Sequence, residues 1–213
     1  MPSEFERALV VMDVDSTVIE QEVIELIAAH AGVEPQVRAV TEAAMRGELD
    51  FAASLRARVA LLASLSADVL AEVRSAVRLT QGAKELCDEL HARGHVVALV
   101  SGGFDVVVET IADAVGADHM RANRLEISDG RLTGRVQGAI VDRAAKAAAL
   151  REFAALHSIP LERTVAVGDG ANDLDMMEIA GVGIAFCAKP VVQQQADVAI
   201  NIRDLRLVLQ HLP

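Results

Sequence analysis

Aromatic residues are almost missing from this chain. Its 213 residues include five Phe, no Trp and no Tyr. A core built without large rings has to be filled by Ala, Val, Leu and Ile, and 52% of the chain is hydrophobic. That filling suits a sheet covered by helices on both faces. Basic residues are also scarce: the formal net charge is -11. Nucleic-acid binding needs clustered Lys and Arg facing phosphates, so this balance excludes it as a partner. Net charge does not exclude a small anionic substrate, because one pocket can be locally positive.

Long apolar runs are missing too. No stretch approaches the ~20 residues of a membrane span. Glu4, Glu6 and Arg7 occupy the place where a secretory signal would need an apolar segment. Only two cysteines occur, Cys87 and Cys187, and their spacing fits no metal site. Reduced thiols in a cytoplasmic protein are the expectation, with no membrane partner.

Against these absences stands a regular alternation. Short apolar runs at 8–12, 95–100, 164–167, 182–186 and 196–200 read as buried strands, and helical patterns at 82–93, 104–115 and 143–157 separate them. The fold class this predicts is α/β, a doubly wound parallel sheet. From about Glu22 to Val77 the pattern is helical throughout. The predicted domains are therefore an α/β core of residues 1–19 and 79–213 and an inserted all-helical cap of residues 20–78. Asp50 and Ser66 are candidate N-caps inside the cap, and Asp142 is one in the core. Residues 124–136, with Ser128-Asp129-Gly130, read as a hairpin.

Ligands of open α/β sheets bind beyond the carboxyl ends of the strands, and polar motifs gather there. Asp13-Val14-Asp15 follows the first strand. One such carboxylate can attack phosphorus while the other handles the proton, although a D-x-D pair can equally cap a loop. Ser101-Gly102-Gly103 follows the second strand and offers a hydroxyl and backbone N–H groups to an anion; an ordinary strand-to-helix turn looks the same. Lys146 is one of only three lysines among 20 basic residues, and it suits a compact positive charge or a solvated helix face. Gly168-Asp169-Gly170-Ala171-Asn172-Asp173 packs oxygen donors densely enough for a hard cation such as Mg²⁺, or forms a polar turn.

In that order the motifs resemble the haloacid dehalogenase superfamily, whose signature is D-x-D-x-T, a Ser or Thr after the second strand, Lys, then G-D-x-x-x-D. The resemblance extends over essentially the whole chain to the branch that hydrolyses O-phospho-L-serine, in Met12–Val18, Val100–Asp105, Ala122–Leu125, Val167–Asp173 and the helical insert. It implies that Asp13 is the nucleophile and a metal ligand. Asp15 would be the general acid and base, with its carbonyl on the metal. Asp169 would be the remaining ligand and Asp173 would hold the metal's water shell. Ser101, Gly102, Lys146 and Asn172 would bind the phosphoryl group. Glu22 would meet the substrate ammonium and Arg58 its carboxylate, with Met45 and Phe51 closing the lid. Taken alone, Glu22 and Arg58 also read as exposed helix charges, and Met45 and Phe51 as cap core. The implied cofactor is Mg²⁺, the partner a small phosphomonoester, and the pathway serine biosynthesis. No N-terminal regulatory domain of the kind some longer bacterial members carry is expected. Two alternatives stay open here: another small ester such as phosphohomoserine, and a non-catalytic binding protein.

Overall fold

The structure is a computed structural model that describes residues 7–45 and 48–213; of Met45 only the backbone is described. Seven strands form one sheet. They are β1 (Leu9–Met12), β2 (Val96–Phe104), β3 (His119–Ser128), β4 (Arg131–Gln137), β5 (Thr164–Gly168), β6 (Val182–Phe186) and β7 (Val198–Ile200). Their spatial order is β4-β3-β2-β1-β5-β6-β7. All neighbours are parallel except β3 and β4, which form an antiparallel hairpin at one edge.

Period-2 alternation explains why β1 takes the middle of the sheet. Val10 and Met12 join one core layer, with Leu86, Leu90 and Val107. Leu9 and Val11 join the opposite layer, with Leu150, Phe153 and Met176. A strand buried on both faces must be apolar at every position, and all four residues are. The helices that cover it are α5 (Ala83–Ala92), α6 (Asp105–Val115), α7 (Arg143–Leu156) and α8 (Leu174–Ile179), with the short α9 (Pro190–Gln193) beside β6.

Between β1 and α5 the described residues form four α-helices, α1 (Val23–Ala31), α2 (Glu34–Met45), α3 (Phe51–Ala60) and α4 (Val69–Ala76). Asp50 caps α3 by accepting from the Ala53 N–H at 2.7 Å, and Asp142 caps α7 by accepting from the Ala145 N–H at 2.9 Å. Such a cap contributes about 1 kcal/mol. Ser66 does not cap α4, which begins three residues later, after Asp68. Ser66 instead pairs with Arg131 of the hairpin, and its hydroxyl accepts from the Asp68 N–H at 3.3 Å, ahead of the first residue of α4. The hairpin grips this part of the insert further: the Ser64 N–H donates to the Leu132 carbonyl at 2.8 Å and the Ala67 N–H to that of Gly130 at 2.8 Å.

Candidate active site

Strand order reverses beside β1, so the carboxyl ends of β1, β2 and β5 lie side by side. A crevice opens at such a reversal. Asp13 still belongs to the sheet, since its N–H donates to the Val167 carbonyl at 2.9 Å. The chain then turns sharply. Asp15 is extended (φ -63°, ψ 133°) and Ser16 left-handed (φ 58°, ψ 0°), and the Ile19 N–H closes the loop on the Val14 carbonyl at 3.0 Å. Asp13 and Asp15 consequently line one cavity of about 160 Å³.

Glu22 reaches the same cavity from the start of α1, where Ser16 Oγ donates to its Oε1 at 2.6 Å. Phe51, Leu55 and Arg58 reach it from α3. Positions i, i+4 and i+7 share one helix face, so a single face carries the ring, the aliphatic chain and the cation. Phe51 lies so close over Gly102 that a β-carbon there would sit 2.9 Å from Cζ. Gly102, Asp169 and Asn172 complete the lining named from the sequence. The Met45 side chain falls outside the described residues.

Ser101, Lys146 and Asp173 lie behind this lining, each 0% exposed. The Ser101 hydroxyl accepts from the Gly103 N–H at 2.8 Å. The segment Ser101-Gly102-Gly103 is not the turn its composition suggests: β2 continues through it to Phe104, with a register shift against β3. Asn123 of β3 holds the bulge, donating from Nδ2 to the Gly102 carbonyl at 2.8 Å while its Oδ1 accepts from the Val141 N–H at 2.8 Å. Lys146 Nζ donates to Asp13 Oδ1 and to Asp173 Oδ1, both at 2.6 Å. Gly168 is needed because a β-carbon would overlap the Asp173 carboxylate.

Leu55 and Ile24 are among the lining residues not signalled as such. Leu55 sits between Phe51 and Arg58 on one helical face, and the 3.6-residue period would have found it. Ile24 carries no such mark, because its place depends on how α1 leaves Glu22. Asn123 also does its work through a tertiary contact.

Negative charge is in excess here. Burial, then the Asp173 charge, holds the Asp13 carboxyl well above its usual range, although Lys146 pulls the other way. Burial, then Glu22, pushes Asp15 up to about 8. Burial and Asp173 push Asp169 up to about 7. Glu22 is raised chiefly by burial. Burial lowers Arg58 against the pull of Glu22 and Asp15. Burial alone would lower Lys146 as well, but Asp13 and Asp173 outweigh it and hold the ammonium charged. Such a site favours a bound cation and a retained proton.

The donor set fits a hard divalent cation. One carboxylate oxygen each from Asp13, Asp169 and Asp173 lies within 4.8 Å of the others, and oxygen ligands select hard ions. Asp173 already has both oxygens engaged, one by Lys146 and one by the Gly170 N–H at 3.0 Å. It therefore suits a supporting place better than a direct one. Asp15 Oδ1 is buried and has no hydrogen-bond partner among the described residues, as a group waiting for a proton acceptor would be.

Comparison with known proteins agrees with this arrangement. A phosphoserine phosphatase of Streptomyces coelicolor is 60% identical over 95% of this chain, which spans 50% of that protein's length. A phosphoserine phosphatase of Streptococcus thermophilus is 50% identical, over 97% of this chain and 96% of its own. A solved phospho-aspartyl intermediate analogue of phosphoserine phosphatase superposes with a TM-score of 0.92 at 46% identity, covering 98% of this chain and 100% of the other. The chain thus spans half of one curated relative and nearly all of another. The family model described as haloacid dehalogenase-like hydrolase matches residues 10–178, from the middle of β1 through the metal loop and into α8, and the chain belongs to that family.

Proposed function

We propose that this protein hydrolyses O-phospho-L-serine to L-serine and inorganic phosphate through a phospho-aspartate on Asp13, in the cytoplasm, as the last step of serine biosynthesis. One observation carries the choice of substrate. Glu22 and Arg58, of opposite charge, line the same small cavity as Asp13 and Asp15. The phosphorylated amino acid has an ammonium and a carboxylate to be matched, and an Arg fork suits a carboxylate. The relatives named phosphoserine phosphatase support the same reading.

The chemistry follows from the positions. An Asp13 oxygen attacks phosphorus and an O–P bond forms. The ester O–P bond breaks, and the leaving serine oxygen takes the Asp15 proton. At neutral pH Asp15 holds that proton, because its carboxyl is pushed up to about 8. Asp15, now a carboxylate, then accepts a proton from water as the water oxygen attacks phosphorus, which frees Asp13 and phosphate. Ser101, Gly102, Lys146 and Asn172 orient the phosphoryl group and offset its charge. Mg²⁺, held by Asp13, Asp169 and the Asp15 carbonyl with Asp173 behind, would supply the charge that lets a carboxylate approach a phosphate dianion. Phe51, which lies over Gly102, shields the attack from bulk water.

The test is phosphate release from O-phospho-L-serine with Mg²⁺ or with EDTA, beside a panel of other phosphomonoesters. Metal-dependent release favouring phosphoserine is expected. Preference for another ester discards the Glu22 and Arg58 roles, and no release from any ester discards the activity.

A further inference from the structure

The segment that follows β7 crosses both chain passages between the sheet and the helical insert. Those passages pair with each other, the Glu20 N–H donating to the Arg78 carbonyl at 3.0 Å and the Thr80 N–H to that of Val18 at 2.8 Å. The segment is tied to the returning passage by the Leu205 N–H on the Gln81 carbonyl at 2.9 Å and by Gln81 Nε2 on Asp204 Oδ2 at 3.3 Å. It is tied to the outgoing passage by Arg203, whose Nη1 donates to the Ser16 carbonyl at 3.2 Å. The Arg203 guanidinium carbon also lies 6.0 Å from the ring centre of the buried Phe186, within reach of a cation–π attraction.

Ser16 is where this contact matters. With φ at 58° it occupies a region that L residues adopt only when neighbours hold them there. Its N–H donates to the Gln21 carbonyl at 3.2 Å and its hydroxyl donates to Glu22 at 2.6 Å. Arg203 supplies the hold on the remaining polar atom of the residue. A rotated Ser16 would carry its hydroxyl away from Glu22, which faces the substrate.

We propose that Arg203 is a positioning residue for substrate selectivity. By fixing the Ser16 carbonyl it aims Ser16 Oγ at Glu22 and so fixes the carboxylate that receives the substrate ammonium. Arg203 itself is exposed and touches no reacting atom. The inference rests on the phosphoserine reading above.

The experiment compares kcat/KM for O-phospho-L-serine with that for p-nitrophenyl phosphate, which has no ammonium, in wild type, Arg203→Met and Arg203→Lys. Arg203→Met is expected to lose about 5-fold on phosphoserine, through KM, the size of one charge-assisted hydrogen bond at the surface. Its turnover of p-nitrophenyl phosphate should stay within about 2-fold, and Arg203→Lys should recover most of the loss. In a double-mutant cycle, Arg203→Met should add little to Ser16→Ala, because both act on one interaction. Equal losses on both esters, no loss on either, or full additivity with Ser16→Ala would overturn the proposal. A wild-type enzyme that does not prefer phosphoserine would instead remove the reading beneath it, an outcome visible before any variant is assayed.

Discussion

Lys146 Nζ lies 2.6 Å from Asp13 Oδ1, and the two side chains are 0% and 6% exposed. A salt bridge this deep is not a surface ornament. The same ammonium lies 2.6 Å from Asp173, so one cation stands between two buried carboxylates that would otherwise repel each other.

Removing that cation should therefore cost stability as well as activity. Lys146→Met is expected to lower the unfolding free energy by about 3–5 kcal/mol, the usual effect of stripping one partner from a buried ion pair. Urea denaturation in EDTA measures this. A change below about 1 kcal/mol would show that the carboxylates do not depend on Lys146.

Asp13→Asn keeps the shape and removes the proposed nucleophile. Turnover of O-phospho-L-serine should fall at least about a thousand-fold, the scale seen when a member of a concerted catalytic set is lost, with folding intact by circular dichroism. Full activity in a folded variant sinks the covalent mechanism.

Arg58 faces the cavity from α3, and its proposed part is to hold the substrate carboxylate. Arg58→Ala should raise KM for phosphoserine about 10- to 100-fold, as loss of a charged hydrogen bond does, with kcat changed only a few-fold. Steady-state kinetics decides, and a loss confined to kcat would mean that Arg58 has another role.

Away from the site, the Ala8 N–H donates to His95 Nδ1 at 3.0 Å, which requires a neutral ring nitrogen. Burial first, then Arg93, Arg163 and Arg7, lowers the His95 pKa. His157 is lowered in the same sense by burial and His119. At these two histidines the unfolded chain binds protons before the folded one as pH falls below about 6.5, so their contribution to stability drops over that window. The raised carboxyls of Asp15 and Asp169 act in the opposite sense over this range, so the readout is a difference: between pH 7.5 and 5, thermal melts should show wild type losing more stability, or gaining less, than His95→Gln. An unchanged slope in that variant would remove His95 as a source.

Cys87 is buried and its thiol is pushed up to about 12, mainly by burial. Iodoacetamide at pH 8 should leave it unmodified in the native protein, while the half-buried Cys187 can react. Mass spectrometry should find at most one adduct, on Cys187. Rapid labelling of Cys87 would mean that α5 opens readily.

Much of this molecule was legible in one dimension. Apolar runs of four to six residues suit strands covered on both faces, so β1, β2, β5 and β6 and a sheet between helices followed from periodicity, and β7 did too although Ala199 at that edge is exposed. Asp13, Asp15 and Asp169 were marked by their places just beyond strands, and Asp50 and Asp142 as caps by chemistry that acts within three residues. Sequence by itself thus determined the elements, the order of the motifs and the kind of chemistry they suit. Tertiary structure decided what depends on contacts between distant segments. It set Lys146 between Asp13 and Asp173, 133 and 27 residues away. It drew Ser66 into pairing with Arg131 in place of a helix cap, stretched Ser101-Gly102-Gly103 into a strand braced by Asn123, and brought Arg203 back to Ser16 across 187 residues. A local pattern encodes which way a side chain points along its own element; only packing decides what it meets.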